Sequence, residues 1–381
     1  MRFLHTSDWH LGRQFHNLSL IDDQRFILSQ LVDLARDEGV EAIVVAGDLY
    51  DRSVPPVDAV DLLDEVVHRI QTELGVPLIL IAGNHDSPKR VAFAARQLAA
   101  ARVHIRGSLT LDIKPVMLTD AHGPIAVYAL PYIEPSIVRE TLKLEVSSHE
   151  QAVAAVLDRI RAARPSGQRS ILVSHSFVAG GQTSESERPL SVGGADQVPA
   201  ALFDGFDYVA LGHLHGPQHR GRESLRYSGS ILKYSFSEAG HDKGVSIVDM
   251  DASGGCVIRH VPLTPRRNVR ILEGSLEALL DAGAKDAARE DYLLIRLSDA
   301  HAILDVMGKL RSVYPNVLHF ERPGLMREGD AKVRADRMRK SELAMFEDFW
   351  TALGPGPLED VARDHVSNLI DQIHRGEAAE R

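Results

Sequence analysis

Five short segments of the chain carry carboxylate, amide and imidazole side chains at spacings suited to holding cations: Asp8-Trp9-His10, Gly47-Asp48, Gly83-Asn84-His85, His175, and Gly212-His213-Leu214-His215. An Asp and a His two residues apart face one ion when the backbone turns between them, though taken alone such a pair is also a common turn element. Gly47 lets the Asp48 carboxylate approach its neighbours closely, while Asp51 reads as a helix cap as readily as a ligand. Asn84 offers a neutral oxygen to a site that already holds enough negative charge, and the adjacent His85 is free to act on a substrate without touching metal. His175 alone would pass for an ordinary buried histidine; His213 and His215, in extended backbone, would place both rings on the same side.

Asp8, His10, Asp48, Asn84, His175, His213 and His215 are chemically complementary as a set, and one shared carboxylate gives each of two ions four protein ligands. Two cations ~3.5 to 4 Å apart clamp the attacking and leaving oxygens of an in-line displacement at phosphorus and acidify water. The set contains no thiolate, which suits manganese, with iron and zinc as alternatives. His68, His104, His122 and His365 lack such a setting and read as surface or core histidines.

The elements that must position these ligands alternate. Arg2 to Ser7, Glu41 to Ala46, Val76 to Ala82, Arg169 to Ser174 and Phe206 to Leu211 are short apolar runs that read as buried strands. Between the first three lie helical patterns, one on Phe26, Ile27, Leu31 and Leu34, the other on Val57, Val60, Leu63, Val67, Ile70 and Leu74 after Pro55-Pro56. Strand-helix alternation implies an α/β layer structure whose polar residues gather past the strand ends, along one edge. From Asn268 a smaller unit follows: a strand at Val269 to Leu272, a helix from Leu276, a strand at Tyr292 to Leu297, a helix from Ala300 to Val313 and a strand at Val317 to Phe320. A Lys- and Arg-rich linker comes next. Two amphipathic helices separated by Gly354-Pro355-Gly356-Pro357 then close the sequence; too short to bury a core alone, they must pack on the main body, a second copy or a partner.

The 381 residues, 44% hydrophobic and 25% charged, exclude disorder and a disulfide scaffold. Cys256 is the only cysteine and reads as a small buried hydrophobe. No apolar run approaches a membrane span, and Met1-Arg2 lead directly into the first motif, so the expected location is the cytoplasm. A net charge of -10 argues against bulk electrostatic binding of nucleic acid, so any such contact must be local or supplied by a partner.

With these motifs in hand, the chain resembles the calcineurin-like metallophosphoesterases over Met1 to Ser237, and among them the nuclease subunits that work with SMC-like ATPases in double-strand-break repair. The closest matches are Leu4 to Gly12, Gly47 through Pro56, Gly83 to Ser87, Ala210 to His215 and Tyr227-Ser228-Gly229-Ser230. The resemblance implies a two-sheet α/β sandwich (1–266), a small α/β capping domain (267–322), a linker (323–340) and a C-terminal helical pair (341–376). It implies one ion on Asp8, His10, Asp48 and His215, a second on Asp48, Asn84, His175 and His213, and His85 as the acid that protonates the leaving oxygen. It further implies a homodimer through the early helices, an SMC-family ATPase on the terminal helices, and Mn-dependent 3′ to 5′ exonuclease and endonuclease action on DNA. A phosphatase or cyclic-nucleotide phosphodiesterase on the same core is the alternative; Asp51-Arg52 resembles the pair with which protein phosphatases grip a monoester. Arg13, Arg52 and Arg90 are candidate contacts to a phosphate backbone.

Overall fold

The computed structural model describes residues 1–187, 196–299, 301 and 303–323, with helical positions 343, 346, 347, 350, 362–367 and 369. The predicted linker and most of the terminal helical pair lie outside the described residues.

The first half alternates as expected: β1 (Arg2–Thr6), α1 (Ile21–Asp37), β2 (Ala42–Val45), α2 (Val57–Arg69), β3 (Leu78–Ile81) and β4 (Val103–Arg106). There follow β5 (Val116–Asp120), β6 (Gly123–Leu130), α3 (Pro135–Leu142), α4 (His149–Ala163), β7 (Arg169–His175), β8 (Tyr208–Gly212), β9 (Gln218–Arg220) and β10 (Arg222–Tyr227). β11 (Gly244–Met250) and β12 (Cys256–Pro262) return to the first sheet. One six-stranded sheet runs β12-β11-β1-β2-β3-β4, the other β9-β10-β8-β7-β6-β5. Each has four mutually parallel strands: β1 to β4 in one, and β6, β7, β8 and β10 in the other. Antiparallel strands extend both.

Period-two alternation explains the layering. Leu4, Ile43, Val45, Leu78 and Leu80 turn to α1 and α2, whereas Phe3, Ala42, Val44, Ile79 and Ile81 turn inward to meet Ile125, Val127, Ile171, Val173, Tyr208 and Ala210 of the other sheet. The outer face of that second sheet, with Tyr128, Leu172, Val209 and Leu211, is covered by α3 and α4. The result is an α/β/β/α sandwich, in which central strands buried on both faces read as unbroken apolar runs.

Two expectations about phase change. The buried residues of α2 are Ala59, Leu62 and Val66, continued by Ile70; Leu63, Val67 and Leu74 of the predicted series pack against this core, whereas Val57 and Val60 are 73% and 44% exposed. Phe26 of α1 likewise faces outward at 45% exposure, because Ile27, Leu28, Leu31, Val32 and Ala35 already fill the contact with the sheet. Cys256 is half-buried, its thiol pushed up to about 12 by burial first and by Asp207 and Asp251 next.

The chain divides into two compact units: Met1–Ile271 with Asp286–Leu294 and Tyr314–His319, and Leu272–Lys285 with Ile295–Val313 and the chain from Phe320. Strands β13 (Val269–Gly274), β14 (Tyr292–Leu297) and β15 (Val317–Glu321) form a three-stranded sheet in that order, joined by α5 (Leu276–Gly283) and α6 (Val306–Arg311). Among the described residues α6 is shorter than the predicted Ala300 to Val313, because the Asp305 side chain accepts from Gly308 N–H and starts the helix there. No helix among the described residues is long and apolar enough to cross a membrane.

The two sheets are also tied by charge. Arg169 of β7 grips both oxygens of Asp120 at 2.9 and 2.5 Å, and the Met1 ammonium reaches the same carboxylate at 2.8 Å. Arg169 hydrogen bonds hold that carboxylate well below its ordinary range, against the opposing effect of burial. Asp120→Asn should therefore cost about 3 to 5 kcal/mol at pH 7, read from the urea midpoint. Since the folded carboxyl is the stronger acid, its contribution stands above about pH 4 and fades as pH falls; the wild-type and variant midpoints should converge in acid.

Candidate metal centre

All five segments lie at the C-terminal ends of parallel strands: Asp8 and His10 after β1, Asp48 after β2, Asn84 and His85 after β3, His175 at the end of β7, His213 and His215 after β8. The first three strands belong to one sheet and the last two to the other, so the site straddles the seam of the sandwich. Past the strand ends the pairing of β1 and β2 continues, as Asp8 N–H donates to Gly47 O, His10 N–H to Asp48 O and Leu11 N–H to Leu49 O.

The ligands sit where the backbone leaves strand geometry. Asp8, His10 and Asp48 have φ of 53°, 45° and 49°, and His213 has φ of 110°. Left-handed conformations at residues other than glycine cost of order 1 to 3 kcal/mol each and cluster at functional sites. The turn at Asp8 and His10 brings both side chains to one side. At His213 it does the opposite of the sequence expectation. The His-x-His pair lies beyond the strand, and its rings part: His213 Nδ1 faces Asn84 Oδ1 at 3.2 Å, while His215 Nε2 faces His10 Nε2 at 3.1 Å.

Asp48 stands between these two groups. Its Oδ2 lies 3.6 Å from His10 Nε2 and 3.4 Å from His175 Nε2, and its Oδ1 accepts from His85 N–H at 2.9 Å. His175 Nε2 also meets Asn84 Oδ1 at 2.9 Å, with the ring fixed by Nδ1 donating to Ala46 O at 2.8 Å. Donor atoms of Asp8, His10 and His215 converge as one possible cation cage, and those of Asp8, Asp48 and His175 as another. A Cβ on Gly83 would overlap Asp48 Oδ1, so only glycine lets the third segment close on that carboxylate.

The donor set fits divalent cations. Asp8, His10, Asp48, His175, His213 and His215 are buried, with Asn84 and His85 partly exposed at the mouth. His10 Nδ1 and Asn84 Nδ2 are buried without a hydrogen-bond partner, and the Nε2 atoms of His10 and His215 face each other at 3.1 Å. Burial lowers His213 to about 3 and His215 to about 4 and takes His10 well below its ordinary value, leaving the neutral imidazole that ligates metal. Burial raises Asp8 to about 7, offset in part by His175 and reinforced by Asp48. For Asp48 and His175 burial opposes charge, but each holds the other ionised, Asp48 falling and His175 rising to about 9.

Several residues that the sequence did not point to hold this arrangement. Asp86, buried, accepts from Leu49 N–H at 3.0 Å, Tyr50 N–H at 2.9 Å and Gly83 N–H at 2.9 Å, locking the second and third segments together. Gln24 donates to His10 O at 2.7 Å and accepts from Gly12 N–H at 3.0 Å, and Tyr234 donates to Trp9 O at 2.5 Å. Asp51 caps no helix; α2 begins after Pro56. Its carboxylate holds Arg13 at 2.9 Å and faces His10 Nδ1 at 3.6 Å, and its carbonyl accepts from His85 Nδ1 at 2.8 Å. Arg13 is further engaged by Ser186 O at 3.0 Å, whereas Arg52 and Arg90 are exposed.

Residues 1–217 match the family model described as calcineurin-like phosphoesterase. The chain belongs to that family. A second family model, described as the type 5 capsule protein repressor C-terminal domain, matches residues 265–353. The phosphoesterase chain is 32% identical over 374 residues to the SbcD component of the nuclease SbcCD from Staphylococcus epidermidis, covering 98% of this chain and 99% of that relative. Among solved structures, a dimetal phosphatase from Danio rerio is 14% identical with a TM-score of 0.43, covering 70% of this chain and 98% of that one. A hypothetical protein from Thermus thermophilus is 12% identical with a TM-score of 0.39, covering 70% and 99%. The calcineurin-like fold implies two divalent cations, and the converging donor atoms supply candidate ligands for them.

Gly83→Ala should disrupt cation binding at Asp48 while leaving the secondary structure intact, since the added methyl must displace that carboxylate and the backbone N beside it. Calorimetric titration of the metal-free protein with Mn²⁺, beside an unchanged far-ultraviolet spectrum, checks this; wild-type affinity in the variant would contradict the geometry.

Proposed function

We propose that this phosphoesterase is a Mn-dependent DNA nuclease, a 3′ to 5′ exonuclease on duplex ends and an endonuclease on single strands and hairpins. It works in the cytoplasm with an SMC-like ATPase in DNA end processing, repair and recombination. The observation that carries the reading is the convergence of carboxylate, amide and imidazole side chains from five strand ends in a chain that aligns over 98% of its length with a nuclease component. In this reading Asp8, His10, Asp48 and His215 hold one ion, and Asp48, Asn84, His175 and His213 the other. Oxygen and imidazole donors without thiolate support manganese.

When bound, the two cations supply positive charge to both the attacking and the leaving oxygen of an in-line displacement. The chain supplies the rest. His85 lies at the mouth, its Nδ1 held by Asp51 O at 2.8 Å, so Nε2 is the atom left to give a proton to the leaving oxygen. The ring packs edge-to-face on His10 at 4.7 Å, which fixes its plane. Six of the seven donor residues are buried, and Asn84 and His85 are the partly exposed ones from which substrate is approached.

A local electrostatic feature supports DNA as substrate despite the overall acidity. From Ser87 to Leu111, directly after the buried Asp86, the chain carries five Lys or Arg and no Asp or Glu. Lys89, Arg90, Arg96 and Arg102 in this stretch are exposed, as a phosphate-tracking surface requires.

The proposed organisation has residues 1–266 as the nuclease domain and 267–322 as the cap. A linker, 323–340, then leads to a helical pair, 341–376, that docks on the ATPase. A homodimer through α1 and α2 is supported by the outward-facing Phe26, Val54, Val57 and Val60. Val57→Lys should shift the protein from dimer to monomer in light scattering; a dimer of undiminished affinity would place the interface elsewhere.

Incubation with Mn²⁺ and a hairpin-ended duplex, with and without the ATPase, tests the activity, using a phosphopeptide and a cyclic nucleotide as controls. Cleavage of the hairpin alone is expected; turnover of the phosphopeptide with intact DNA would sink the nuclease reading. His85→Ala should lose at least 10²-fold in cleavage while still binding two Mn²⁺, whereas Asp48→Ala should lose metal and activity together.

A further inference from the structure

Behind His215, on the side away from the cation cages, lies a buried polar network that the chemistry described above does not use. His215 is pinned at three atoms. Its N–H donates to Glu187 Oε1 at 2.7 Å, its carbonyl accepts from Lys243 Nζ at 2.7 Å, and its Nδ1 lies 2.5 Å from Ser186 Oγ. Ser186 Oγ in turn meets Glu238 Oε1. Glu238 is fully buried, and both its oxygens are surrounded by donors: Lys243 Nζ at 2.5 Å, Ser235 Oγ at 3.0 Å, Ser184 Oγ at 3.1 Å and Tyr234 N–H at 3.2 Å.

The directions of these bonds are determined. A carboxylate only accepts, and a serine has one proton. The Ser186 proton therefore points to Glu238, and Ser186 Oγ is left as an acceptor toward the ring. It follows that His215 Nδ1 carries hydrogen and that Nε2 presents its lone pair to the side where Asp8 and His10 converge. We infer that Ser186 and Glu238 form a positioning relay that selects the metal-ligating tautomer of His215.

The inference rests on the reading of His215 as a cation ligand. Without the relay a neutral imidazole populates both tautomers, and the one with hydrogen on Nε2 points that hydrogen into the cage and blocks coordination. Ser186 reaches His215 from the excursion between β7 and β8, 29 positions earlier in the chain, and Glu238 from the segment after β10. The tautomer is thus decided by two stretches that contain no cation ligand. Lys243 balances the Glu238 carboxylate and closes the network onto the His215 carbonyl, so ring and backbone are held by one cluster. Loss of such an outer partner costs about 10 to 100-fold in metal affinity.

The test uses full-length protein labelled with ¹⁵N-histidine and stripped of metal by chelation. Long-range ¹H–¹⁵N correlation should show His215 with hydrogen on Nδ1 in the wild type, and a mixture or the opposite tautomer in Ser186→Ala. Mn²⁺ calorimetry on the same variant should show one of two sites weakened about 10 to 100-fold with the other unchanged. Ser186→Thr, which keeps the hydroxyl, should restore both readouts. An unchanged His215 tautomer in Ser186→Ala, or equal weakening of both sites, would overturn the relay. Should wild-type protein take up fewer than two Mn²⁺, the two-cation reading fails, while the metal-free spectrum still decides the relay.

Discussion

The structure is organised around a carboxylate that water would rather keep. Asp48 is buried among imidazoles at the seam of two sheets, and Asp8 is fully buried beside it. Placing one ionised carboxylate in such an interior costs several kcal/mol unless partners compensate it. His10, His175 and the His85 N–H surround Asp48, and the centre as a whole has the donor set for divalent positive charge. The segments after β1 and β2 adopt costly backbone conformations to reach it, and Gly83 gives up a side chain so that the third can close.

That convergence asks for a rigid support, and the sandwich provides it. Parallel strands end together along one edge of each sheet, so stacking the sheets brings five strand ends to one place. Loops alone would hold donors loosely; here they are tied to one another by buried polar groups. Asp86 clamps three backbone N–H groups, Gln24 and Tyr234 fasten the segment around His10, and the Glu238 cluster holds His215. Each of these groups is buried and satisfied, and truncating one would leave the others exposed to the full cost of desolvation.

Much of this was legible in the amino-acid sequence, for identifiable reasons. Central strands buried on both faces have a strong apolar signature, so β1, β2, β3, β7 and β8 stand out, and so do the polar residues that follow them. The strands β5, β6 and β10 to β12 lack that signature in part: β12 alternates half-buried and exposed positions, and β10 carries Arg222, Glu223 and Arg226. The two-sheet arrangement came from resemblance and not from periodicity. The first turn of α2 was misjudged because Val57 and Val60 are as apolar as Leu62 and Val66, and composition does not distinguish a core face from an apolar outer face. Gln24, Glu187 and Glu238 gave no signal at all, and Asp86 none beyond its place in the third segment, since a second layer of support is defined by contacts between residues far apart in the chain.

The sequence by itself determined which chemistry is available: the kinds of donor, their order, and their attachment to the ends of strands. That follows from local physics, because side-chain chemistry and strand propensity belong to short stretches. Only the tertiary structure decided how the donors are shared. It parted His213 from His215, which spacing alone had put on one side, because a positive φ at His213 turns the chain out of the strand. It made Asp51 a partner of Arg13 and His85 and not a cap, and it set the proton on His215 through Ser186 and Glu238. Those outcomes depend on angles and approaches of a few tenths of an ångström between distant segments, and such distances exist only once the two sheets have packed.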